Sequence, residues 1–586
     1  VTNRRTFLER FGSETAVTGV IGANAPGGSG IGAAERNEYS PSSTGEFEYP
    51  WQFIGRRSAV MARNGMVATS HPLAAETGVR VLQNGGNAAD AAVAVAAELA
   101  FVEPHMTTLG GDVVALTHFD GEYKALNGTG YAPAAADVET YREKIDETDG
   151  DASPSIPSEG PLSVTVPGVV DGLYRLSDRY GDLPFADVLQ PAIQHARDGV
   201  PITEYIATQW EAAAPRVASF ESFRETYLEN GETLPPESVF TNRALAESLE
   251  RIANEGIETM YGGQLGQQIV NRVQEHDGLL ELEDLEGFES NWNDPISTEY
   301  QGYEVLEHPP NTIGVVALEA LNIVEHLELP DEPTDPDRLH KLIEAIKIAF
   351  TDAEEYLGDP LDADVPLESK LDEAYARERA TEIGESVGEY EPEAGDTPNS
   401  NTVYLTVVDR NGNAVSMLTS GYKPFGSGLV VGGFTLQNHA TEFSLDSADP
   451  NAIEPRKRPF HTLIPGMLAE NGEFRASFGV MGGSMMPQGH LQLLANTFES
   501  GLNPQAAIDV PRFRFEDGHE VALETTRLPE ETVDSLRERG HEIVLESEYF
   551  EPDANHFGGA QFIYRDSDGT LIGGSDPRRD GQAIGF

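Results

Sequence analysis

The 586-residue chain contains no cysteine. That absence excludes disulfides, thiolate metal sites and a cysteine nucleophile together, so covalent catalysis would have to use Ser, Thr, Lys or a carboxylate. Lysine is scarce as well. Only seven occur, at positions 124, 144, 341, 347, 370, 423 and 457, and the other thirty-two of the 39 basic side chains are arginine. No uninterrupted apolar run reaches the ~18 to 20 residues that span a bilayer. The nearest, Ala88 to Val102, is broken by Asp90 and Glu98 and reads as a buried, alanine-rich helix instead, so no membrane insertion is expected. No GxSxG nucleophile elbow is present. The fourteen histidines show no HExxH or other tight ligand spacing, and neither metal nor organic cofactor is expected.

Acid is what the chain has in excess. Its 98 Asp and Glu against 39 Lys and Arg give a formal charge of −59. A field of that sign repels phosphate backbones, which excludes nucleic acid as a partner. Disorder is a common consequence of such charge, but 39% of the residues are hydrophobic and the acids are spread along the chain, so a folded protein is expected. An acid-rich, lysine-poor surface suits multimolar salt, where the Debye length falls to about 3 Å and self-repulsion is screened. The charge far exceeds the magnitude of about 2 to 8 that keeps a small domain soluble, and it reads as a halophile's surface, the alternative being an acidic mesophilic protein.

Length alone allows about four domains or one large α/β enzyme. Residues 1–50 open with VTNRRTFLER, in which Arg4 and Arg5 precede a mildly apolar stretch, and continue into a Gly, Ser and Pro-rich linker. The pattern resembles a twin-arginine export signal; the alternatives are a disordered tail and a cytoplasmic protein. Leu339 to Leu357 has helical periodicity, with Leu342, Ile346, Ala349 and Phe350 on one face, and Ala380 to Asn399 reads as an acidic loop. Immediately after it, TVYLTVVD at Thr402 to Asp409 and AVSMLT at Ala414 to Thr419 flank Asn411-Gly412, a strong hairpin signal.

Several long blocks carry a resemblance. GMVATSHPLAAETGVRVLQNGGNAADAAVAVAAELAFVEPHMTTLGGD spans Gly65 to Asp112, VTVPGVVDG starts at Val164, EAIKIAFTDAEEYLGDP at Glu344 and NTVYLTVVDRNGNAVSM at Asn401. FGSGLVVGGFTLQNHATEFSLD at Phe425, KRPFHTLIPGM at Lys457 and FGVMGGSMMPQGH at Phe478 follow. In this order, from about residue 51 to the C-terminus, the chain resembles the γ-glutamyltranspeptidases. The resemblance implies an α/β fold, the four-layer αββα sandwich of N-terminal-nucleophile hydrolases. It also implies one precursor cut at Asn401-Thr402 into a large subunit, 51–401, and a small subunit, 402–586. Thr402 would then be the nucleophile. Its freed α-amino group, with an ordinary pKa near 7.7 to 8.0, would serve as its base. The competing reading of Thr402 is an ordinary β-branched strand residue.

By the same resemblance Ser420 supports the nucleophile and Gly482 and Gly483 offer backbone N–H groups to the oxyanion. Read alone, these are a polar strand end and a plain turn. Glu442, His439, His461, Thr462 and Tyr131 fall at substrate-binding positions. Here the chain departs from the family pattern. Where an arginine would grip a substrate carboxylate, residues 128–133 read GTGYAP, and no arginine lies between Arg80 and Arg142. His461 and Thr462 stand where two serines are expected, His439 replaces a glutamine, and Glu442 replaces an aspartate. The two histidines are either pocket residues or incidental surface ones. The expected activity is γ-glutamyl transfer from glutathione or other γ-glutamyl amides to water or an amine. The alternatives are a glutaryl-type amidase of the same fold and a processed but idle binding protein.

Overall fold

The computed structural model describes residues 57–146, 155–354, 356–360, 365–388, 401–546 and 556–586. The twin-arginine segment, the linker and most of the acidic loop lie outside them.

The Asn411-Gly412 signal becomes the turn of a hairpin between Asn401–Asp409 and Ala414–Tyr422. The Asp409 carboxylate holds this turn by accepting from Asn411 N, Asn413 N and Asn413 Nδ2. The hairpin is the middle of a seven-stranded sheet ordered Gln582–Gly585, Gly65–Thr69, Asn401–Asp409, Ala414–Tyr422, Asp112–Phe119, Glu122–Gly128 and Asn291–Asn293. A second seven-stranded sheet runs Val60–Ala62, Leu571–Ser575, Gly559–Arg565, Glu473–Met481, Gly466–Glu470, Tyr303–Glu307 and Ile296–Tyr300. Every pairing in both sheets is antiparallel.

The sheets pack face to face through Asn401–Asp409 and Glu473–Met481, and helices close both outer faces. Pro72–Gln83, Ala88–Val102 and Val169–Tyr180 cover the first sheet, while Gly314–Val324 and Met485–Phe498 cover the second. This is the expected αββα sandwich. Because both faces of each sheet are covered, the central strands read as continuous buried runs: all nine residues of Ala414–Tyr422 are buried.

The two acids that interrupt Ala88–Val102 have structural work. Asn87 caps the helix by accepting from Ala89 N and Asp90 N, and Asp90 accepts from Asn87 N at 2.9 Å, completing a capping box. Glu98 is fully buried and pairs with His195 Nδ1 at 2.9 Å. The helix expected over 339–357 runs Pro336–Glu354, with Asp335 accepting from Asp337 N at its start, and Leu342, Ile346, Ala349 and Phe350 all face the core. Among the described residues no helix is long and apolar enough to cross a membrane.

Candidate active site

Thr402 enters the first sheet beside a register shift. Asn401 pairs with Tyr422 and Thr402 with Ser420, so Gly421 is the extra residue of a bulge. The Thr402 hydroxyl donates to Ser420 Oγ at 3.1 Å, and Ser420 Oγ also accepts from Tyr422 N at 2.8 Å. Tyr422 itself holds φ +72°, a left-handed conformation costly for an aromatic residue, immediately beside the bulge. Across the next strand Ser420 pairs with Asp112. Thr402, Ser420 and Asp112 therefore form one row on one face, with Asp112 about 10 Å from Thr402 by strand spacing. The glycines before Asp112 make the row possible. A Cβ on Gly111 would lie 2.2 Å from Ser420 O.

That face looks into the second sheet. Thr406 Oγ1 donates to Ser477 Oγ at 2.6 Å, and the Tyr404 ring fills the space above Gly479, where a Cβ would meet it at 2.5 Å. The facing strand ends two residues further on, at the Met481-Gly482 junction. There the strand turns into the helix Met485–Phe498 through Gly482, at φ +133°, and Gly483, at φ +63°. A Cβ on Gly482 would stand 3.1 Å from Gly558 Cα, so the turn needs glycine for both conformation and space. His490, from the helix, accepts from Val480 N and pairs its Nδ1 with Glu307 at 2.7 Å, tying the strand to the helix around the turn. The N-terminal end of a helix and two adjacent glycine amides suit a developing negative charge.

Neither candidate histidine is on the surface. His439 and His461 are both buried, with ring centroids 4.1 Å apart, and both face Asp112 Oδ2, at 3.0 Å from His439 Nδ1 and 3.3 Å from His461 Nε2. Burial alone would raise the Asp112 carboxyl, but the two imidazoles outweigh it and hold it below its ordinary value. Burial, followed by neighbouring His439, lowers His461 to about 4. Thr462 is buried beside it. Glu442 is half-buried; its carboxyl accepts from the Tyr422 hydroxyl, and burial pushes it up to about 8. Tyr131 lies on the 128–133 loop, half-buried, with the Arg458 guanidinium 4.2 Å from its ring centroid.

Arg458 is the residue that sequence reasoning missed. The loop that lacks an arginine of its own has one from KRPFH, which donates through Nε to Thr129 O at 3.0 Å and through Nη2 to Asn291 Oδ1 at 2.8 Å. Only its place in KRP beside the histidine could have drawn notice. Asp112 was likewise visible only as the end of TLGGD.

The expectation of no tight ligand spacing holds along the sequence and fails in space. Asp112, His439 and His461 bring three donor atoms within 4.8 Å of one another, as do His340, Glu344 and His541. Linear spacing could not show this, because each set is assembled from distant segments. The first set is poorly prepared for a metal. His461 Nδ1 accepts from Leu463 N at 3.3 Å, so its proton rests on the Nε2 that would have to ligate, whereas a metal-bound imidazole donates its other N–H outward. In the second set Lys347 Nζ already donates to Glu344 at 3.2 Å. A cavity of about 520 Å³ opens elsewhere, among Glu247, Arg251, Gln264, Gln268 and Arg272, and none of the candidate site residues lines it.

Comparison with known proteins identifies the family. The family profile described as Gamma-glutamyltranspeptidase matches residues 74–586. The chain is 37% identical to the glutathione hydrolase-like YwrD proenzyme of Bacillus subtilis, over 90% of this chain and 99% of that one. It is 32% identical to the oxamate amidohydrolase proenzyme of Klebsiella pneumoniae, over 90% and 100%. Among solved structures, a cephalosporin acylase from Bacillus halodurans superposes with a TM-score of 0.84 at 41% identity, covering 92% of this chain and 98% of that one. With a profile over most of its length and relatives matched nearly end to end, the chain belongs to the γ-glutamyltranspeptidase family.

Proposed function

We propose that the chain is a proenzyme that cuts itself at Asn401-Thr402 and then hydrolyses or transfers the acyl group of small amides through an ester on Thr402. The observation that carries this reading is the placement of the Thr402 hydroxyl. It is buried and hydrogen-bonded to Ser420 at the start of a central strand, beside a bulge. Cleavage would free the Thr402 amine as the base for its own hydroxyl, and the glycine amides would stabilise the oxyanion. Large and small subunits would remain together, because the strand starting at Thr402 is hydrogen-bonded between Gly65–Thr69 and Ala414–Tyr422.

A γ-glutamyl amide such as glutathione is the first donor to test, with Glu442 as partner of the ammonium. A glutaryl-type donor is the second reading, favoured by the loop without its own arginine and by His461 and Thr462 in place of the serines. Intact-mass spectrometry of fresh protein in high salt is expected to show a new terminus at Thr402; a single uncut, active chain would overturn the mechanism. Labelling of Thr402 by an acylating γ-glutamyl analogue would exclude an idle binding protein. Export through the twin-arginine segment and activity in multimolar salt complete the proposal. Periplasmic or extracellular recovery and a salt titration of activity test them.

A further inference from the structure

The strand that leads into the Gly482-Gly483 turn outruns its sheet on one side. Gly466, the first residue of the neighbouring strand Gly466–Glu470, pairs with Phe478, so Gly479, Val480 and Met481 pair only on the other side, with Gln561, Ala560 and Gly559. At Val480 a side chain stands in for the missing strand: His490 Nε2 accepts from Val480 N at 3.2 Å. A backbone N–H can only donate, so the imidazole proton sits on Nδ1, where it meets Glu307 Oε1 at 2.7 Å. Glu307 ends the strand Tyr303–Glu307 and pairs with the same Gly466 at which the neighbouring strand begins. Both side chains are fully buried. The imidazole packs edge-on against the Phe478 ring, with centroids 5.0 Å apart. The helix Met485–Phe498 presses on Val480 through Gly489, where a Cβ would stand 2.6 Å from Val480 Cγ1. Carboxyl, imidazole and amide thus form one hydrogen-bonded chain that ends two residues before Gly482. Beyond it the backbone runs through the positive φ of Gly482 and Gly483, and Met485 N and Met486 N donate back to their carbonyls.

We propose that Glu307 and His490 are positioning residues for acyl transfer: together they fix the end of this strand, and with it the direction in which the Gly482 and Gly483 amides point. The inference rests on the Thr402 amidase reading, in which those amides meet the oxyanion. Their effect falls on the transition state and not on substrate binding, because the oxyanion exists only there. Glu307 has to supply no more than an acceptor. Burial pushes its carboxyl up while His490 acts against that, and among the described residues Oε2 has no hydrogen-bond partner. An amide in the same place can therefore receive the Nδ1 proton and put its NH2 where Oε2 stands.

Two measurements on the full processed chain in high salt test this. Hydrolysis of γ-glutamyl and glutaryl p-nitroanilide reads the chemical step, and hydrogen exchange of peptides covering 478–486 reads the strand end without turnover. His490→Phe keeps a ring against Phe478 and removes both hydrogen bonds. On whichever anilide the wild type turns over, its kcat is expected to fall about tenfold or more with KM within about twofold, and the 478–486 amides are expected to exchange faster. Glu307→Gln is expected to keep kcat within about threefold of wild type, whereas Glu307→Leu is expected to lose about tenfold. That pair carries the test should His490→Phe not fold. A processed His490→Phe enzyme with wild-type kcat, or one in which only KM rises, would overturn the positioning role, as would a Glu307→Gln enzyme as slow as Glu307→Leu. Failure of the amidase reading has another signature: a processed wild type inert on both anilides, or hydrolysis that survives Thr402→Ala. Exchange then decides the strand end by itself, and unchanged protection in His490→Phe would overturn the part given to His490.

Discussion

Two buried charged clusters in this protein are finished in opposite ways. In the C-terminal part, Asp576 accepts from Arg512 Nη2 at 2.7 Å, Ala560 N at 2.7 Å, Arg578 N at 2.9 Å and Arg578 Nη1 at 3.2 Å. Glu524 accepts from Arg578 Nε at 2.9 Å, Arg512 N at 2.7 Å and Arg527 Nη1 at 3.0 Å, and Arg578 Nη2 closes a bidentate pair. Further guanidinium protons of Arg578 and Arg512 reach Ile508 O, Val510 O and Phe557 O. Each carboxylate oxygen is used, and the arginines outweigh burial to hold both acids below the ordinary carboxylate value. In the Asp112 cluster the carboxylate is also depressed, but His439 Nε2 is left open and Glu442 nearby is pushed up instead of down. A cluster whose partners are all supplied by the chain holds elements together, whereas unpaired buried polar atoms are costly to a fold and do not serve that purpose.

That contrast can be broken in order of effect. Thr402→Ala is expected to leave one uncut chain and reduce amidase activity by ~10³-fold or more while leaving the urea midpoint unchanged, as mass spectrometry and an anilide assay would show. Arg578→Ala should do the opposite. Leaving Glu524 and Asp576 without their shared partner is expected to cost about 3 to 5 kcal/mol in urea unfolding, with specific activity of the folded fraction retained. Gly482→Ala combines an unsuitable φ with a close approach to Gly558 and is expected to lower kcat about a hundredfold. Ser420→Ala removes one hydrogen bond to the nucleophile, and about a tenfold loss in kcat is expected.

The smallest effect is a difference in sign with pH. Glu524 and Asp576 have depressed folded values, so their contribution is present above the ordinary carboxylate pKa of about 4 and is lost as pH falls through the lower folded values. Glu442 has a raised folded value of about 8, so it weighs against the fold increasingly from about pH 4.5 up to 8. Glu442→Gln is therefore expected to raise the urea midpoint slightly at about pH 8.5 and not at about pH 4. An equal gain at both pH values would show that Glu442 is not held neutral by its surroundings.

Much of the scaffold was legible before the fold was seen. The hairpin follows from two β-rich runs around Asn411-Gly412, and the buried helix from alanine repeated across Ala88–Val102 with Asn87 and Asp90 at its start. Thr402, Ser420 and the Gly482-Gly483 turn could be singled out in the sequence because each lies in a contiguous block. The histidines were not. From the sequence, His439 and His461 divided between pocket and surface, and no ligand spacing stood out, because their common partner Asp112 belongs to a strand far earlier in the chain. Arg458 escaped notice for the same reason, since the Tyr131 loop that it covers is remote in sequence.

The sequence by itself determined the charge of −59, the absence of thiol chemistry, the periodicities, the turn residues and the family blocks, all of which are local or compositional. Tertiary structure alone decided that the two sheets would stack through the strand that Thr402 opens, that one carboxylate would face two histidines, and that an arginine from another segment would reach the loop lacking one. Strand pairing and sheet stacking bring groups within hydrogen-bond reach whatever their separation along the chain, and at that distance burial and nearby charge, rather than residue type, set which atoms are satisfied and which remain open to substrate.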